Sequence, residues 1–258
     1  MRKLIFLDLD GTILDHSTHT IPKSAKQAID QARTNGHDVI LATGRPPSLM
    51  GRLLEEIHFD AVVGANGRYI TYKDKVLHKD AIPRTLLESF IKDADEDGVE
   101  LSFLGTKDFF TMRESSEYAV RLSEYYHLPH PKYVEDPGVL NDVLQVILFF
   151  DDLEIVEKYQ TKYPDLDFNL SSPFSADVNT KDGLKEIGID VFTEYLGVPV
   201  SQTVAIGDSY NDISMIEHAG IGVAMGNGCE PLKEVADHVT DTVSNDGLYK
   251  AFKTLKLI

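Results

Sequence analysis

The chain has little cysteine, few basic residues and no long apolar run. Cys229 is the only cysteine among 258 residues, so one chain can form no disulfide and no cysteine-based zinc cluster, which fits a reducing compartment. The longest apolar stretch, Val143–Phe150, is interrupted by Gln145 and is far too short to cross a bilayer. Residues 1–7 have no small-residue cleavage site, so we expect a cytoplasmic protein without a signal peptide.

The shortage of basic residues also limits the partners. Twenty-five basic residues stand against 42 acidic ones, which gives a net charge of −17. A surface of that sign repels nucleic acid and anionic lipid, so we expect neither as a partner. A phosphate substrate would be repelled as well, unless groups at its binding site offset the negative charge of the protein.

The first part of the chain alternates strand and helix signals. Lys3–Leu9, Asp38–Thr43 and Ala61–Gly64 are apolar runs that predict strands. Pro22–Asn35 and Pro46–Ile57 carry apolar residues at helical spacing and predict the intervening helices. Two strand–helix units with short connections predict a parallel sheet covered by helices.

The alternation of predicted strands and helices then stops and later resumes. Residues 66–75 predict a hairpin, and residues 83–183 read as helices mixed with paired strands, which indicates an antiparallel α+β domain. The strand–helix alternation resumes at Lys185. The predicted fold class is α/β: a doubly wound, Rossmann-like parallel-sheet core from residues 1–82 and 184–258, with an inserted α+β domain over residues 83–183.

Two carboxylates follow the first predicted strand. Asp8 and Asp10 are two apart on an extended segment, so they point to the same face, and Gly11 lets the chain turn away. Ligands of open α/β sheets collect at the carboxyl ends of strands. One carboxylate there can act as a nucleophile and the other as an acid. A solvated loop explains the pair equally well when it is taken alone.

Two further polar segments lie at the ends of the predicted strands Asp38–Thr43 and Thr203–Gly207. Thr43-Gly44-Arg45 offers a hydroxyl and backbone N–H groups for an anion, although a helix N-cap explains it too. Asp208 and Asp212 are four apart at a helix start and suit Mg²⁺, while Asn211 can donate to a phosphate oxygen. Helix capping is the alternative, and it explains one acidic residue better than two.

A lysine should offset this concentration of negative charge. Each close pair of like charges costs about 4 kcal/mol at about 4 Å and an effective dielectric near 20. Lys181 and Lys185 both open the returning segment of the core, and either is a candidate. Four features suited to phosphate therefore fall at strand ends of one predicted sheet.

With these residues assembled, the chain resembles the haloacid dehalogenase superfamily, and within it the Cof-type phosphatases. Residues 8–12, 43–45 and 207–212 are similar to its nucleophile, second and metal motifs, and residues 222–228 resemble the Cof-type run that follows. The resemblance implies that Asp8 is the nucleophile and Asp10 the acid and base. It implies that phosphate is held by Leu9, Thr43, Gly44, Lys185 and Asn211. It also implies a Mg²⁺ cofactor bound by Asp8, the backbone carbonyl of Asp10, Asp208 and Asp212.

The third motif departs from the family pattern. Leu184-Lys185-Glu186 stands where members commonly carry Ser-Lys-Gly, but the spacing places Lys185 rather than Lys181 at the matching position. Asn66-Gly67 also resembles a family feature, yet a hairpin turn explains it as well, and we leave it out of the predicted site.

The resemblance implies that residues 83–183 form a large α/β cap that selects the substrate. Residues of the cap that could contact a substrate are Arg113, Tyr118, His127 and His130.

The expected activity is Mg²⁺-dependent hydrolysis of small phosphomonoesters, such as sugar phosphates or phosphorylated cofactors, through an aspartyl-phosphate. A phosphomutase would use the same nucleophile, and a phosphate-binding protein without turnover would have no use for Asp10. A receiver domain phosphorylated on Asp8 explains neither the second acid nor the insert. We expect a monomer or a small homo-oligomer.

Overall fold

The computed structural model describes residues 2–51, 56–73, 75–126 and 128–258. The chain divides into two compact units. The first unit comprises Met1–Gly44, Arg52–Lys79 and Leu184–Ile258, and the second comprises Arg45–Gly51 and Asp80–Gly183. No helix in the described ranges is long and apolar enough to span a bilayer. The candidate residue His127 lies outside the described residues.

Helices and strands follow one another through the described residues. In chain order they are β1 (Leu4–Leu7), α1 (Lys23–Thr34), β2 (Asp38–Ala42), β3 (Ala61–Gly64), β4 (Tyr69–Tyr72), β5 (Lys75–Lys79), α2 (Arg84–Asp97), β6 (Leu101–Gly105), β7 (Phe109–Thr111), α3 (Glu117–Tyr126), β8 (Lys132–Tyr133), β9 (Val143–Phe149), α4 (Leu153–Lys162), β10 (Leu166–Ser172), β11 (Ser175–Thr180), α5 (Glu186–Leu196), β12 (Thr203–Gly207), α6 (Ile213–His218), β13 (Gly222–Ala224), α7 (Glu230–Val235), β14 (His238–Val239) and α8 (Gly247–Thr254).

The first unit is built on an eight-stranded sheet in the order β14-β13-β12-β1-β2-β3-β4-β5. The strands from β14 to β3 are parallel, and β4 and β5 add an antiparallel hairpin at one edge. The four residues of β1 are fully buried, as expected for a strand covered on both faces. The predicted doubly wound fold class is therefore confirmed.

The helices of the first unit follow the apolar spacing only in part. Helix α1 buries Ala25, Ile29 and Ala32 on one face, as the sequence predicts. The helix predicted over Pro46–Ile57 begins differently, because Pro47–Leu49 forms a short 3-10 helix. Residues 52–55 of that prediction lie outside the described residues.

The order of the strands fixes where a ligand site can form. Strand β1 lies between β2 and β12, with Leu7 opposite Leu41 on one side and opposite Ile206 on the other. The chain adds β2 and β3 on one side of β1 and later adds β12, β13 and β14 on its other side, so β1 lies at the topological switch point of the sheet. The residues that follow β1, β2 and β12 therefore emerge at one edge.

The second unit is built on a six-stranded sheet in the order β10-β11-β9-β6-β7-β8. The sheet is antiparallel apart from the β7–β8 pair, as the predicted α+β insert requires. Helices α2 and α4 supply Phe90 and Tyr159 to one apolar cluster, and α3 supplies Leu122 to another. Successive side chains of β9 point to opposite faces of the sheet, so Leu148 joins the first cluster and Phe149 the second.

Candidate functional site

Asp8 lies at the carboxyl end of β1 and is almost fully buried, with 5% of its surface exposed. Its backbone N–H donates to the carbonyl of Ile206 at 2.9 Å, which continues the β1–β12 pairing up to this residue. The chain then turns sharply, and the carbonyl of Leu9 accepts hydrogen bonds from the backbone of Ile13 and Leu14. The side chain of Leu9 is buried, so this residue can contact a phosphate only through its backbone.

Lys185 is the lysine that the structure brings to Asp8. Its ammonium group is fully buried and donates to Asp8 Oδ1 at 2.7 Å and to Asp212 Oδ1 at 2.6 Å. Lys181, the other candidate, is exposed. Burial alone lowers the pKa of Lys185, but the charges of Asp212 and Asp8 outweigh this effect and the pKa is raised. The lysine is therefore a permanent positive charge in the site.

A close backbone contact places this lysine. Gly67, just before β4, has a φ angle of +89°, and a Cβ atom at this position would collide with the carbonyl of Leu184. Glycine lets the turn approach the residue before Lys185. The turn before β4 therefore lies directly against the residue that precedes Lys185.

Asp212 holds the loop that follows β12. Its Oδ2 accepts hydrogen bonds from the backbone N–H groups of Asp208 and Ser209 at 3.0 and 2.9 Å. With Ser209 it forms a capping box at the short 3-10 helix Tyr210–Asp212. The capping alternative thus describes Asp212, which caps the helix while its other oxygen binds Lys185. It does not account for Asp208.

Three carboxylates converge at this edge of the sheet. Oxygen atoms of Asp8, Asp208 and Asp212 lie within 4.8 Å of one another. Burial, joined by the charge of Asp212, raises the pKa of Asp8 well above its usual range against the opposing charge of Lys185. Burial, followed by Asp212, also raises the pKa of Asp208 to about 6.

These carboxylates fit a divalent cation. When all three are ionised they carry three negative charges against the one positive charge of Lys185, which leaves an excess of two. Asp8 Oδ2 is buried and receives no hydrogen bond from the described residues. Buried polar atoms normally have a partner, and an oxygen-only donor set suits Mg²⁺.

The second predicted segment lies beside the first. Thr43 is buried at the end of β2, where its N–H donates to the carbonyl of Val63 at 2.8 Å. A Cβ atom at Gly44 would come within 3.2 Å of Asn66 Oδ1 and 3.4 Å of Asn211 Nδ2. The structure therefore brings Gly44 and Asn211 together. Asp10, the predicted acid and base, is half-buried in the turn after Asp8.

Asn66 also belongs to this group, although it is not among the site residues predicted from the sequence. Its Oδ1 accepts a hydrogen bond from Asn211 Nδ2 at 3.0 Å, and its backbone N–H donates to the carbonyl of Thr43 at 3.1 Å. Ala65, Asn66 and Gly67 all have positive φ angles. The Asn-Gly pair was the available signal, but it describes a turn equally well and does not reveal the contact with Asn211.

Two of the candidate residues of the second unit, Arg113 and Tyr118, have partners within that unit. Arg113 donates to Glu100 Oε1 at 2.9 Å, and the hydroxyl of Tyr118 donates to Asp151 Oδ1 at 2.5 Å. His130 is exposed. Their use in substrate selection stays a prediction.

Replacing Gly11 with alanine is expected to damage the site. Gly11 has a φ angle of +90°, and a Cβ atom there would collide with the carboxylate of Asp208. We expect a loss of about 1–2 kcal/mol in unfolding free energy from the backbone strain alone. Displacement of Asp208 should lower the phosphatase rate by about 100-fold, since misplacements of about 1 Å have effects of that size. Denaturant unfolding and an aryl phosphate assay measure the two effects.

Gly36→Ala is the matched control for this variant. Gly36 has a φ angle of +85°, but among the described residues other than its chain neighbours no heavy atom lies within 4 Å of the position a Cβ would take. The control should lose similar stability and keep its activity. Equal activities of the two alanine variants would contradict the assigned contact between Gly11 and Asp208.

Open α/β sheets bind ligands at the switch point, which is where this chain places its buried carboxylates and a buried lysine. Comparison with known proteins gives the class directly. The haloacid dehalogenase-like hydrolase family matches residues 5–252. The protein YkrA of Bacillus subtilis is 34% identical over 259 residues, covering 99% of this chain and 98% of YkrA.

Two further relatives have named activities. The 5-amino-6-(5-phospho-D-ribitylamino)uracil phosphatase YcsE of Bacillus subtilis is 30% identical over 262 residues, which cover 97% of this chain and 94% of YcsE. The structure of the subclass IIB sugar phosphatase BT4131 superposes with a TM-score of 0.82 at 30% identity, covering 99% of this chain and 100% of that chain. The chain belongs to the haloacid dehalogenase-like hydrolases, and it is a phosphoric monoester hydrolase. The resemblance read from the motifs is confirmed.

Proposed function

We propose that this enzyme hydrolyses small phosphomonoesters by two successive phosphoryl transfers, with Asp8 as the nucleophile. The observation that carries this proposal is the buried contact between Lys185 and Asp8 Oδ1 at 2.7 Å, while none of the described residues donates a hydrogen bond to Asp8 Oδ2. The lysine fixes one oxygen of the carboxylate by a charge-assisted hydrogen bond. The other oxygen remains able to bind a cation or to react.

In the first transfer a carboxylate oxygen of Asp8 attacks the phosphorus atom. The new bond joins Asp8 to the phosphoryl group, and the bond from phosphorus to the ester oxygen breaks with its electron pair on that oxygen. Asp10 gives its proton to the leaving alkoxide, which departs as the alcohol. Lys185 offsets the negative charge that gathers beside Asp8.

In the second transfer a water molecule attacks the phosphorus of the aspartyl-phosphate. Asp10, now a carboxylate, takes the proton from this water, and the bond between phosphorus and Asp8 breaks. Asp8 is recovered as a carboxylate, and inorganic phosphate leaves. Thr43, Gly44 and Asn211 hold the phosphoryl oxygens through both transfers, and the proximity of Gly44 and Asn211 to Asn66 supports this role.

The metal that fits the three carboxylates is Mg²⁺, which family phosphatases typically use. Asp8, Asp208 and Asp212 would hold it, together with the backbone carbonyl of Asp10. When bound, Mg²⁺ supplies positive charge to the oxygens of the transferred phosphoryl group.

Removal of the metal is expected to abolish hydrolysis. Chelation should lower the rate on an aryl phosphate by at least about 100-fold, because the metal is expected to contribute several kcal/mol of charge stabilisation. Titration with Mg²⁺ should restore it. Asp208→Asn, which removes one of the charged ligands, should need far more Mg²⁺ for the same recovery. Full activity in the presence of a strong chelator would rule out the metal assignment.

We propose that the substrate is a sugar phosphate or a phosphorylated cofactor, chosen by the second unit acting as a cap. The support comes from YcsE and BT4131, which are named for a phosphoribitylamino-uracil and for sugar phosphates. A panel of several dozen phosphate esters tests this proposal. We expect sugar phosphates or polyol phosphates to be hydrolysed with the highest kcat/KM, and a preference for esters without hydroxyl groups would contradict it.

The expectations of a cytoplasmic enzyme, of a monomer or small homo-oligomer, and of no nucleic acid partner stay predictions. The strongly negative net charge supports the last of them.

A further inference from the structure

Asn227 lies outside the motifs that carry the proposed mechanism, yet its side chain contacts two of them. It follows β13 in the loop before α7. Its Nδ2 donates to the backbone carbonyl of Gly11 at 2.8 Å and, over a longer distance of 3.4 Å, to Asp208 Oδ2. Gly11 belongs to the turn after the nucleophile, and Asp208 belongs to the acidic group.

The orientation of this amide is determined by its third partner. The backbone N–H of Val243 donates to Asn227 Oδ1 at 2.9 Å. A backbone N–H can only donate, so the atom facing it must be the carbonyl oxygen of the side chain. The NH₂ group therefore faces Gly11 and Asp208, whose oxygens both accept. All three hydrogen bonds agree with a single orientation of the amide.

The backbone around Asn227 brings it close to Asp208. The N–H of Cys229 donates to the carbonyl of Asp208 at 2.9 Å, and a Cβ atom at Gly228 would lie 3.3 Å from Asp208 Cα. This loop thus packs directly against the residue whose carboxylate Asn227 contacts. The orientation of that carboxylate depends on the loop as well as on its own strand.

The carboxylate of Asp208 is held by weak contacts. Thr12 Oγ1 donates to Asp208 Oδ1 at 3.4 Å, and Asn227 approaches Oδ2 at the same distance. Each of these oxygens accepts one such hydrogen bond, and a carboxylate oxygen has two lone pairs. Both oxygens therefore keep lone pairs for a cation.

We propose that Asn227 is a positioning residue for the cation site, which orients Asp208 and ties it to the turn at Gly11. This inference rests on the proposed function, because it takes Asp208 as a ligand of Mg²⁺. Residues that orient a metal ligand commonly change metal affinity by about 10- to 100-fold when they are replaced. Asn227→Ala should weaken Mg²⁺ binding by at least about tenfold on this scale.

The test is the Kd of Mg²⁺, measured by isothermal titration calorimetry on the metal-free protein, for wild type and for two variants. Asn35→Ala is the matched control. Asn35 is also exposed, and its Nδ2 donates to a backbone carbonyl, that of Leu257, at 2.9 Å. Both variants lose an asparagine bond that joins two chain segments, but Asn35 has no part in the site. Only Asn227→Ala should change the Kd.

Activity at increasing Mg²⁺ supplies a second readout. Since the proposed defect is in affinity, the kcat of Asn227→Ala should return to near the wild-type value at saturating Mg²⁺. General damage to the fold would not be reversed in this way. Should Asn227→Ala fail to fold, Asn227→Ser, which keeps a polar side chain in the loop, is measured by the same criteria.

The outcomes separate the two levels of the argument. A wild-type protein that binds no Mg²⁺ refutes the metal assignment of the proposed function. A wild type that binds Mg²⁺, with a Kd for Asn227→Ala within about twofold of it, overturns the role of Asn227 alone. A Kd raised equally in Asn35→Ala also overturns it, because the effect would then be unspecific.

Discussion

Asp8→Asn is expected to lower kcat on an aryl phosphate by at least about 10⁴-fold, as removal of a nucleophile does in other enzymes. Asparagine has nearly the shape of aspartate, and its Oδ1 can still accept the hydrogen bond from Lys185. The variant should therefore fold. An amide oxygen, however, is too weak a nucleophile to form the bond to phosphorus. Release of phosphate in the presence of Mg²⁺ measures the effect.

Asp15→Asn is the matched control for the nucleophile. Asp15 is as buried as Asp8, with 5% of its surface exposed. Its carboxylate accepts hydrogen bonds from the backbone and hydroxyl of Ser17 at 2.8 and 2.7 Å. This variant should keep most of its activity. Comparable rates for Asp8→Asn and Asp15→Asn would contradict the assignment of Asp8.

Lys185→Met is expected to cost both activity and stability. Methionine fills much the same volume, but Asp8 and Asp212 are left in a buried site without their shared counterion. Removal of one partner of a buried ion pair typically costs about 3–5 kcal/mol. Lys181→Met, at the exposed neighbouring lysine, should lie within about 0.5 kcal/mol of wild type.

The stability deficit of Lys185→Met should depend on pH. Burial already raises the pKa of Asp8 in the folded protein, and loss of the lysine removes the charge that opposes this shift. An acid with a raised pKa in the folded state disfavours folding once it is ionised in the unfolded chain. The deficit should be small near pH 4, which is close to the ordinary aspartate pKa of about 3.9. It should grow as the pH rises. Urea unfolding across this range measures it, and a deficit that grows toward acid would contradict the buried charge pair.

The sequence predicts well what depends on local pattern. The apolar runs give β1, β2, β3 and β12, and the polar residues directly after them mark the carboxyl edge of the sheet. The antiparallel insert is also readable, since its helices and strands no longer alternate singly. The strand β14 is not predicted, because its two residues carry no periodic signal.

The pairings in the site depend on distant parts of the chain and are not readable from local pattern. Lys185 is 177 residues from Asp8 and 27 from Asp212, and only the packing of α5 brings it to both. Asn66 and Asn227 show the same difficulty. Each is a single amide whose importance depends on which segment lies opposite, and that follows from the fold.

The central claim is that Asp8 becomes phosphorylated, and Asp10→Asn with an aryl phosphate tests it most directly. An aryl oxide leaves without a proton, so the first transfer proceeds, whereas the second has lost the base that activates water. We predict a rapid burst of about one aryl oxide per enzyme. After acid quenching, mass spectrometry should find one phosphoryl group on the peptide that contains Asp8. A steady rate without a burst, or a phosphoryl group on any other residue, would contradict the account.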